Sequence, residues 1–303
     1  MAIVSQQNEL LSAERIDNSL DSIQTFVRSL KVHSDEILFC MENTGKYGKL
    51  FLEATAIMQL NTWVEHPLQI KRSQGMTRGK TDQLDAVRIA QYAFRFQDKV
   101  NLWKPEEKVI GQLKELLSKR DLLVKSYKML KQSSDKNDKD LIQPLKSLQN
   151  ATAKLNDKIE ALISTDNKLS RHHKLLQSVP GIGRIVSTSL LVTTKGFTQL
   201  TNPRQLACYM GIAPFPYQSG SSINYKNRVS RLGNQKLKAL LNLSAWNAIR
   251  SVPGLKSYFE RKVAQGKAKL SAINAVRNKL IAIALSVIRR NQPFSKEYLP
   301  SIS

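Results

Sequence analysis

Acidic residues are scarce in this chain: 24 Asp and Glu stand against 47 Lys and Arg, a formal charge of +23. Such an excess argues for a polyanionic partner, most often nucleic acid, although a ribosomal-type or simply basic soluble protein has the same composition. The deficit is steepest from Thr201 to Ser303, where 17 Lys and Arg face two acids, Glu260 and Glu297. That third is the expected backbone-binding surface. Cysteine is nearly absent too. Cys40 and Cys208 sit in unrelated apolar contexts, which excludes a disulfide framework and a cysteine metal site and leaves two buried thiols. No apolar run approaches the roughly 20 residues of a membrane span. The start, Met1-Ala2-Ile3-Val4-Ser5-Gln6-Gln7, lacks the basic and apolar regions of a secretory signal. The expectation is a cytoplasmic chain without a membrane partner, and 303 residues at 41% hydrophobic content suffice for about two domains with proper cores.

The first third alternates strand and helix signals. Met1–Ser5 is short and β-compatible, and Asn8–Leu11 can form a second strand or edge. Leu20, Ile23, Phe26, Val27 and Leu30 recur at helical spacing behind Asn18 or Ser19 as cap. The apolar run Glu36–Met41 predicts a buried parallel strand that ends at Glu42. Tyr47–Leu60 reads as the next helix, and Asn61–Glu65 as a further strand closed by His66-Pro67. The pattern predicts a mixed sheet covered by helices, with Glu42 in the crevice outside the strand ends. Residues 71–80 form a loop with Lys71, Arg72, Arg78 and Lys80, suited to a phosphodiester or to a solvated connection. Thr81 caps a helix whose Asp82 and Asp85 share one face. That pair can bind a metal ion, or simply favour the positive end of the helix dipole.

From Pro105 the pattern changes to heptads. Val109, Leu113, Leu116, Arg120, Leu123, Tyr127 and Leu130 make one seam, and Leu141, Leu145, Leu148, Thr152, Leu155, Ile159 and Leu162 another. An antiparallel arm is expected, with its tip near 133–138 and dimerisation as its use. His172 and His173 lack partners at metal spacing and are assigned to the surface. Val179-Pro180-Gly181-Ile182-Gly183-Arg184 then resembles a helix-hairpin-helix turn, whose glycines expose backbone N–H groups to a phosphate, or is merely a tight interhelical turn. Tyr217–Ser222 reads as a polar loop in which a serine hydroxyl can attack or hydrogen-bond a phosphate, flanked by Lys226, Arg228 and Arg231. Gly233-Asn234 opens a helix, and Ser271–Arg290 forms a last one with a basic face.

Taken together, Met41-Glu42-Asn43-Thr44-Gly45-Lys46-Tyr47, Lys80-Thr81-Asp82-Gln83-Leu84-Asp85-Ala86, Val179–Gly183, Gly211-Ile212-Ala213-Pro214 and Ser219-Gly220 resemble the DEDD transposases of bacterial insertion sequences, the IS110 family. The resemblance covers nearly the whole chain. It implies an RNase H-like (RuvC-like) α/β domain over 1–104, a coiled-coil insert over 105–170, and a mostly helical C-terminal transposase domain over 171–303. It also implies Mg²⁺ held by Glu42, Asp82 and Asp85, and Ser219 as a nucleophile that links covalently to DNA. Further implications are a structured guide RNA, DNA ends and target as partners, a homo-oligomer built through the arm, and a nucleoid-associated place in a bacterial cytoplasm. Nucleic-acid contacts are expected from Arg72, Arg78, Lys80, Gly181, Gly183, Arg184, Lys226, Arg228 and Arg231. One departure stands out. The family's first strand, with Gly-Ile-Asp-Val-Ser or similar, has no counterpart, and Met1–Ser5 aligns with the second. About a dozen residues and one metal-binding Asp are therefore expected to be missing, which leaves three readings: an active recombinase, an inactive nucleic-acid-binding remnant, or a RuvC-like nuclease using metal-activated water.

Overall fold

The computed structural model describes residues 1–295 except Lys31, 34–35, Lys46, 76–78, Lys80, 134–137 and 220–222, with the backbone alone at 216–219 and 223–227. It divides into two compact units, Met1–Pro105 and Glu106–Ser303.

In the first unit, β1 (Ala2–Val4) and β2 (Leu10–Ala13) pair as an antiparallel hairpin. Helix α1 (Leu20–Ser29) starts where the Ser19 hydroxyl accepts the Ser22 N–H, and it buries Ile23 and Val27. Strands β3 (Phe39–Glu42) and β4 (Thr62–Glu65) are parallel, with α2 (Lys49–Ile57) in the crossover that such a pair requires. Helices α3 (Pro67–Ser73) and α4 (Asp82–Arg95) follow. Helix α4 packs on β1 and β3. Its Tyr92 and Ala93 meet Trp63 and Ile70 in a small core, where the Tyr92 ring lies 5.2 Å from Trp63 and 4.9 Å from Phe96.

Several expectations are corrected here. The described residues form no single mixed sheet; β1–β2 and β3–β4 are separate two-stranded sheets. The expected buried strand shrinks to Phe39–Glu42 and is largely half-buried, because a strand is enclosed on both faces only within a wider, covered sheet. The helix expected from Tyr47 begins at Lys49, and Tyr47 is exposed. Lys71, Arg72 and Ser73 belong to α3 rather than to a loop. His66-Pro67 follows the end of β4, as expected, and also starts that helix: the His66 ring nitrogen accepts the Leu68 N–H, and proline suits a first helical position.

The second unit opens with α5 (Lys108–Ser133) and α6 (Lys139–Ser164). Arg120 Nε donates to Asn156 at 2.8 Å and Gln149 to the Tyr127 hydroxyl at 3.1 Å. One number rises as the other falls, so the helices run antiparallel. Burial is confined to the root of this arm, at Ile110, Leu113, Leu117, Ile159 and Ile163, while Leu122, Met129 and Ile142 are exposed. Beyond it lie α7 (Asn167–Gln177), α8 (Arg184–Thr193), α9 (Pro203–Tyr209), the hairpin β5 (Pro214–Ser219) and β6 (Ile223–Val229), α10 (Gln235–Ser251), α11 (Pro253–Ala264) and α12 (Lys269–Arg290).

Helix α12 runs through the core, against α7, α9, α10 and α11, burying Ile273, Val276, Leu280, Ile281 and Ala284. Among the described residues it alone is long and apolar enough, by length and composition, to cross a membrane, although Arg277 and Lys279 interrupt its apolar run, and most of it is buried inside this unit. Of Tyr217–Ser222, expected as a polar loop, Tyr217–Ser219 belong instead to β5, paired antiparallel with β6 so that Tyr217 is opposite Tyr225 and Ser219 opposite Ile223, and 220–222 lie outside the described residues. Cys40 and Cys208 are half-buried rather than buried.

Candidate functional site

Two strands of the first unit end on glutamate. Glu42 closes β3, Glu65 closes β4, and the parallel register sets them side by side. The expected site included Glu42 alone. The signal for Glu65 was available, since both strands read as three strand-forming residues and a terminal Glu. Glu65 is firmly held: one oxygen accepts the His66 N–H at 2.6 Å, and the other accepts the Tyr92 hydroxyl at 3.1 Å. Burial and then the Glu65 charge push the Cys40 thiol up to about 12. Burial, the hydrogen bond to Glu65 and its charge push Tyr92 up to about 12. Cys40 is therefore a neutral thiol rather than a nucleophilic thiolate.

Asp82 and Asp85 occupy the first turn of α4, where the Thr81 hydroxyl accepts the Leu84 N–H at 3.2 Å as the expected cap. Gln83 ties this turn to β2 by donating to the Ala13 carbonyl at 3.4 Å. Asp82 is exposed. Asp85 pairs with Arg88 at 3.1 Å, and Arg88 also donates to the Gly79 carbonyl. Arg72 is exposed in the last turn of α3, while Arg78 and Lys80 lie outside the described residues.

In the second unit Ser219 is the last residue of β5. Its side chain and that of Lys226 lie outside the described residues; Arg228, on β6, and Arg231 are exposed. The foot of the hairpin is pinned. A Cβ on Gly233 would come within 2.2 Å of the Gly211 nitrogen, and Gly211 itself has φ +64. The Ile212 carbonyl accepts from Asn274 at 2.7 Å and from Asn278 at 3.1 Å, which fastens it to α12.

The glycine turn between α7 and α8 has two different jobs. Gly183 is the exposed N-cap of α8, without a capping side chain, and Arg184 beside it is exposed. That end suits an anion. Gly181 has φ +88, and a Cβ there would meet the Ser244 carbonyl oxygen at 2.2 Å. Its requirement is close packing on α10, not exposure to a phosphate.

His173, expected at the surface, is 4% exposed. Its Nδ1 lies 2.7 Å from the Ser187 hydroxyl and its Nε2 lies 3.2 Å from Glu160. With a neutral ring, Nε2–H donates to Glu160, and Nδ1 faces the Ser187 hydroxyl, whose single proton is shared between Nδ1 and the Arg184 carbonyl at 2.9 Å. Burial holds the His173 pKa down, against Glu160, which raises it, and with Arg184, which lowers it. Although Ser, His and Glu here mimic a hydrolytic triad, Ser187 is fully buried and no substrate reaches it. The set instead ties α6, α7 and α8 together. A further cationic group escaped sequence reading: Arg261, Lys262 and Lys279 surround the Tyr258 ring at 5.5, 5.3 and 5.6 Å.

Two family models match parts of the chain. A DEDD transposase model of the IS110 type covers residues 1–137, and a model described as the transposase IS116/IS110/IS902 family covers residues 173–260. The chain belongs to the IS116/IS110/IS902 transposase family. A pilin gene-inverting protein of Moraxella bovis is 28% identical over 84% of this chain and 81% of its own length. The 43.6 kDa protein of insertion element IS110 from Streptomyces coelicolor is 31% identical over 50% of this chain and 37% of its own. The 42 kDa protein of insertion element IS900 from Mycobacterium paratuberculosis is 29% identical over 43% and 33%.

Membership in this transposase family implies DNA binding, and its DEDD domain implies catalysis with divalent metal. The IS110-type carboxylates do not meet that requirement here: among the described residues no three His, Cys, Asp or Glu side chains gather at metal-holding spacing. Glu42, Asp82 and Asp85 share a unit without forming one cluster.

Proposed function

We propose that this transposase-family chain is a DNA recombinase whose nucleophile is Ser219, presented at the end of β5 by a hairpin anchored on the C-terminal core. What supports this most is the position of Ser219 inside the matched C-terminal segment, on a strand whose foot is fixed by Asn274 and Asn278. In this reading the Ser219 oxygen attacks a backbone phosphorus while its proton leaves. One P–O bond forms as another breaks, and the displaced sugar hydroxyl can later reverse the exchange. Gly183, Arg184, Arg228 and Arg231 offer donors and cations for the remaining phosphates, joined by Arg72, Arg78, Lys80 and Lys226. DNA ends and target, a guide RNA and assembly through the α5–α6 arm belong to the same proposal. Mg²⁺ at Glu42, Asp82 and Asp85 is the family expectation; since those side chains do not gather, no step is assigned to it.

A second reading has a specific observation behind it. The scattered carboxylates and the +23 charge fit a chain that binds nucleic acid without cutting it. The deciding experiment is strand exchange with guide RNA, element ends and target, run on this chain and on one extended by a family-type first strand bearing Asp. A covalent protein–DNA adduct that disappears in Ser219→Ala supports the nucleophile. Exchange that survives Ser219→Ala sinks it and favours metal-activated water. Salt-dependent binding without adduct from either chain leaves the binding remnant.

A further inference from the structure

Among the described residues, Arg277 is the only Asp, Glu, Lys or Arg that is buried, at 7% exposure. Its Nε has no hydrogen-bond partner, and its guanidinium meets no carboxylate among the described residues. Facing it from α10 is the half-buried Lys238, whose amine is held below the usual lysine range by burial and then by the Arg277 charge. Burial also lowers Arg277. Two cations thus sit together in a partly dry place with no counter-charge.

An uncompensated buried charge of this kind costs several kcal/mol, and a buried donor without a partner asks for an explanation. Neither cation has an ion pair with an acid among the described residues: the neighbouring Asp121 of α5 is paired with Lys236 of α10, and Glu260 lies on α11 against Lys256 at 3.9 Å. A guanidinium fork beside an ammonium suits a phosphate, which takes paired N–H donors and a second charge. The place is telling as well. Arg277 lies between Asn274 and Asn278 on α12, the two residues that hold the Ile212 carbonyl at the foot of the β5–β6 hairpin.

We infer that Arg277 and Lys238 form a phosphate-binding site at the α10–α12 crossing, under the hairpin foot, and that its occupant is a backbone phosphate of bound DNA. Ser219 is five strand residues from Pro214, about 17 Å. The phosphate held here is therefore not the one Ser219 attacks, and the site anchors the strand away from the reacting bond. Naming DNA as the source rests on the recombinase reading; phosphate binding by the folded chain does not.

The test is titration of the full chain with inorganic phosphate, at ionic strength matched with chloride, followed by thermal unfolding and by ³¹P line broadening. Wild type and Ser219→Ala are expected to show the same saturable rise in Tm. Arg277→Gln loses it, and Lys238→Gln binds about tenfold more weakly, as the loss of one charge-assisted contact implies. A DNA duplex sharpens the phosphate line again by displacement. Equal shifts in wild type and Arg277→Gln would mean only the general attraction of a basic surface, and overturn the site. So would no shift together with a more stable Arg277→Gln, the signature of a buried charge bridged by water to the unpartnered Asn274 oxygen. Should Arg277→Gln fail to fold, Lys238→Gln decides, since its side chain is half-buried. A duplex that leaves phosphate bound overturns the DNA source alone. Failure of strand exchange with an intact phosphate response overturns the recombinase reading and leaves the site standing.

Discussion

The two units of this chain are stabilised on different scales. The unit that carries Glu42, Asp82 and Asp85 has a small core around Trp63, Ile70, Tyr92 and Ala93, between sheets of two strands each. The unit that carries Ser219 is built around α12, with Leu190, Leu191, Met210, Ile212, Leu241, Ile273 and Leu280 almost wholly buried beside it. The first carries those carboxylates apart from one another on a thin frame, while the second carries its cations on a thick one. The lesson is that the carboxylates expected to do chemistry lie in the unit with the smaller core. A two-stranded parallel pair leaves edges unpaired and faces half-covered. Glu42 and Glu65 therefore sit at the end of a narrow frame, with Glu65 held by His66 and Tyr92, whereas the hairpin foot at Ile212 is fastened to the most buried helix of its unit.

The largest effect expected from this contrast is in the thin unit. Trp63→Ala removes a 2% exposed side chain and should cost about 3–5 kcal/mol. Hydrogen exchange should then show residues 1–105 opening while the α10–α12 amides stay protected; equal loss in both units would break the contrast. Next in size is Gly181→Ala, with a Cβ 2.2 Å from the Ser244 oxygen at φ +88. About 3 kcal/mol of stability should be lost from the second unit in denaturant unfolding. Gly183→Ala, with open space at its Cβ, should lose far less. Similar losses at the two glycines would undo the division of labour drawn for that turn.

The smallest effect is a pH dependence. His173 titrates lower in the folded chain than its ordinary 6.5, chiefly through burial. Between those two values the unfolded chain binds more protons, so this contribution is complete above the unfolded value and is lost as pH falls through the folded one. The Tm of the second unit should decline as pH is lowered from about 7.5 to about 5. His173→Gln should flatten that slope, and an unchanged slope would remove His173 as its source.

Much of the helix punctuation was readable along the chain. Ser19, Thr81 and Asn234 cap α1, α4 and α10 as expected, because a capping hydroxyl or amide bonds an N–H two or three residues on and needs nothing distant. The parallel pairing of β3 and β4 and the antiparallel arm were legible from apolar runs and heptads. Helix α11 and the β5–β6 hairpin were not, since neither has strong periodicity: α11 relies on Leu255 and Tyr258 packing into the core, and the hairpin on register with itself. For the candidate site, the residue types and their order were legible. Which of them meet was not. Glu65 joins Glu42 through strand pairing, while Asp85 turns to Arg88.

The sequence by itself determined the charge, the family motifs, the helix starts and the arm, all of which depend on composition or on neighbours within a few turns. Tertiary structure alone decided that His173 is buried between Glu160 and Ser187, that Gly181 must clear the Ser244 carbonyl, and that Arg277 faces Lys238 without an acid. The physical reason is common to the three. Burial and close approach come from elements 13 to 63 residues away along the chain, and no local rule of hydrogen bonding or periodicity carries information over that distance.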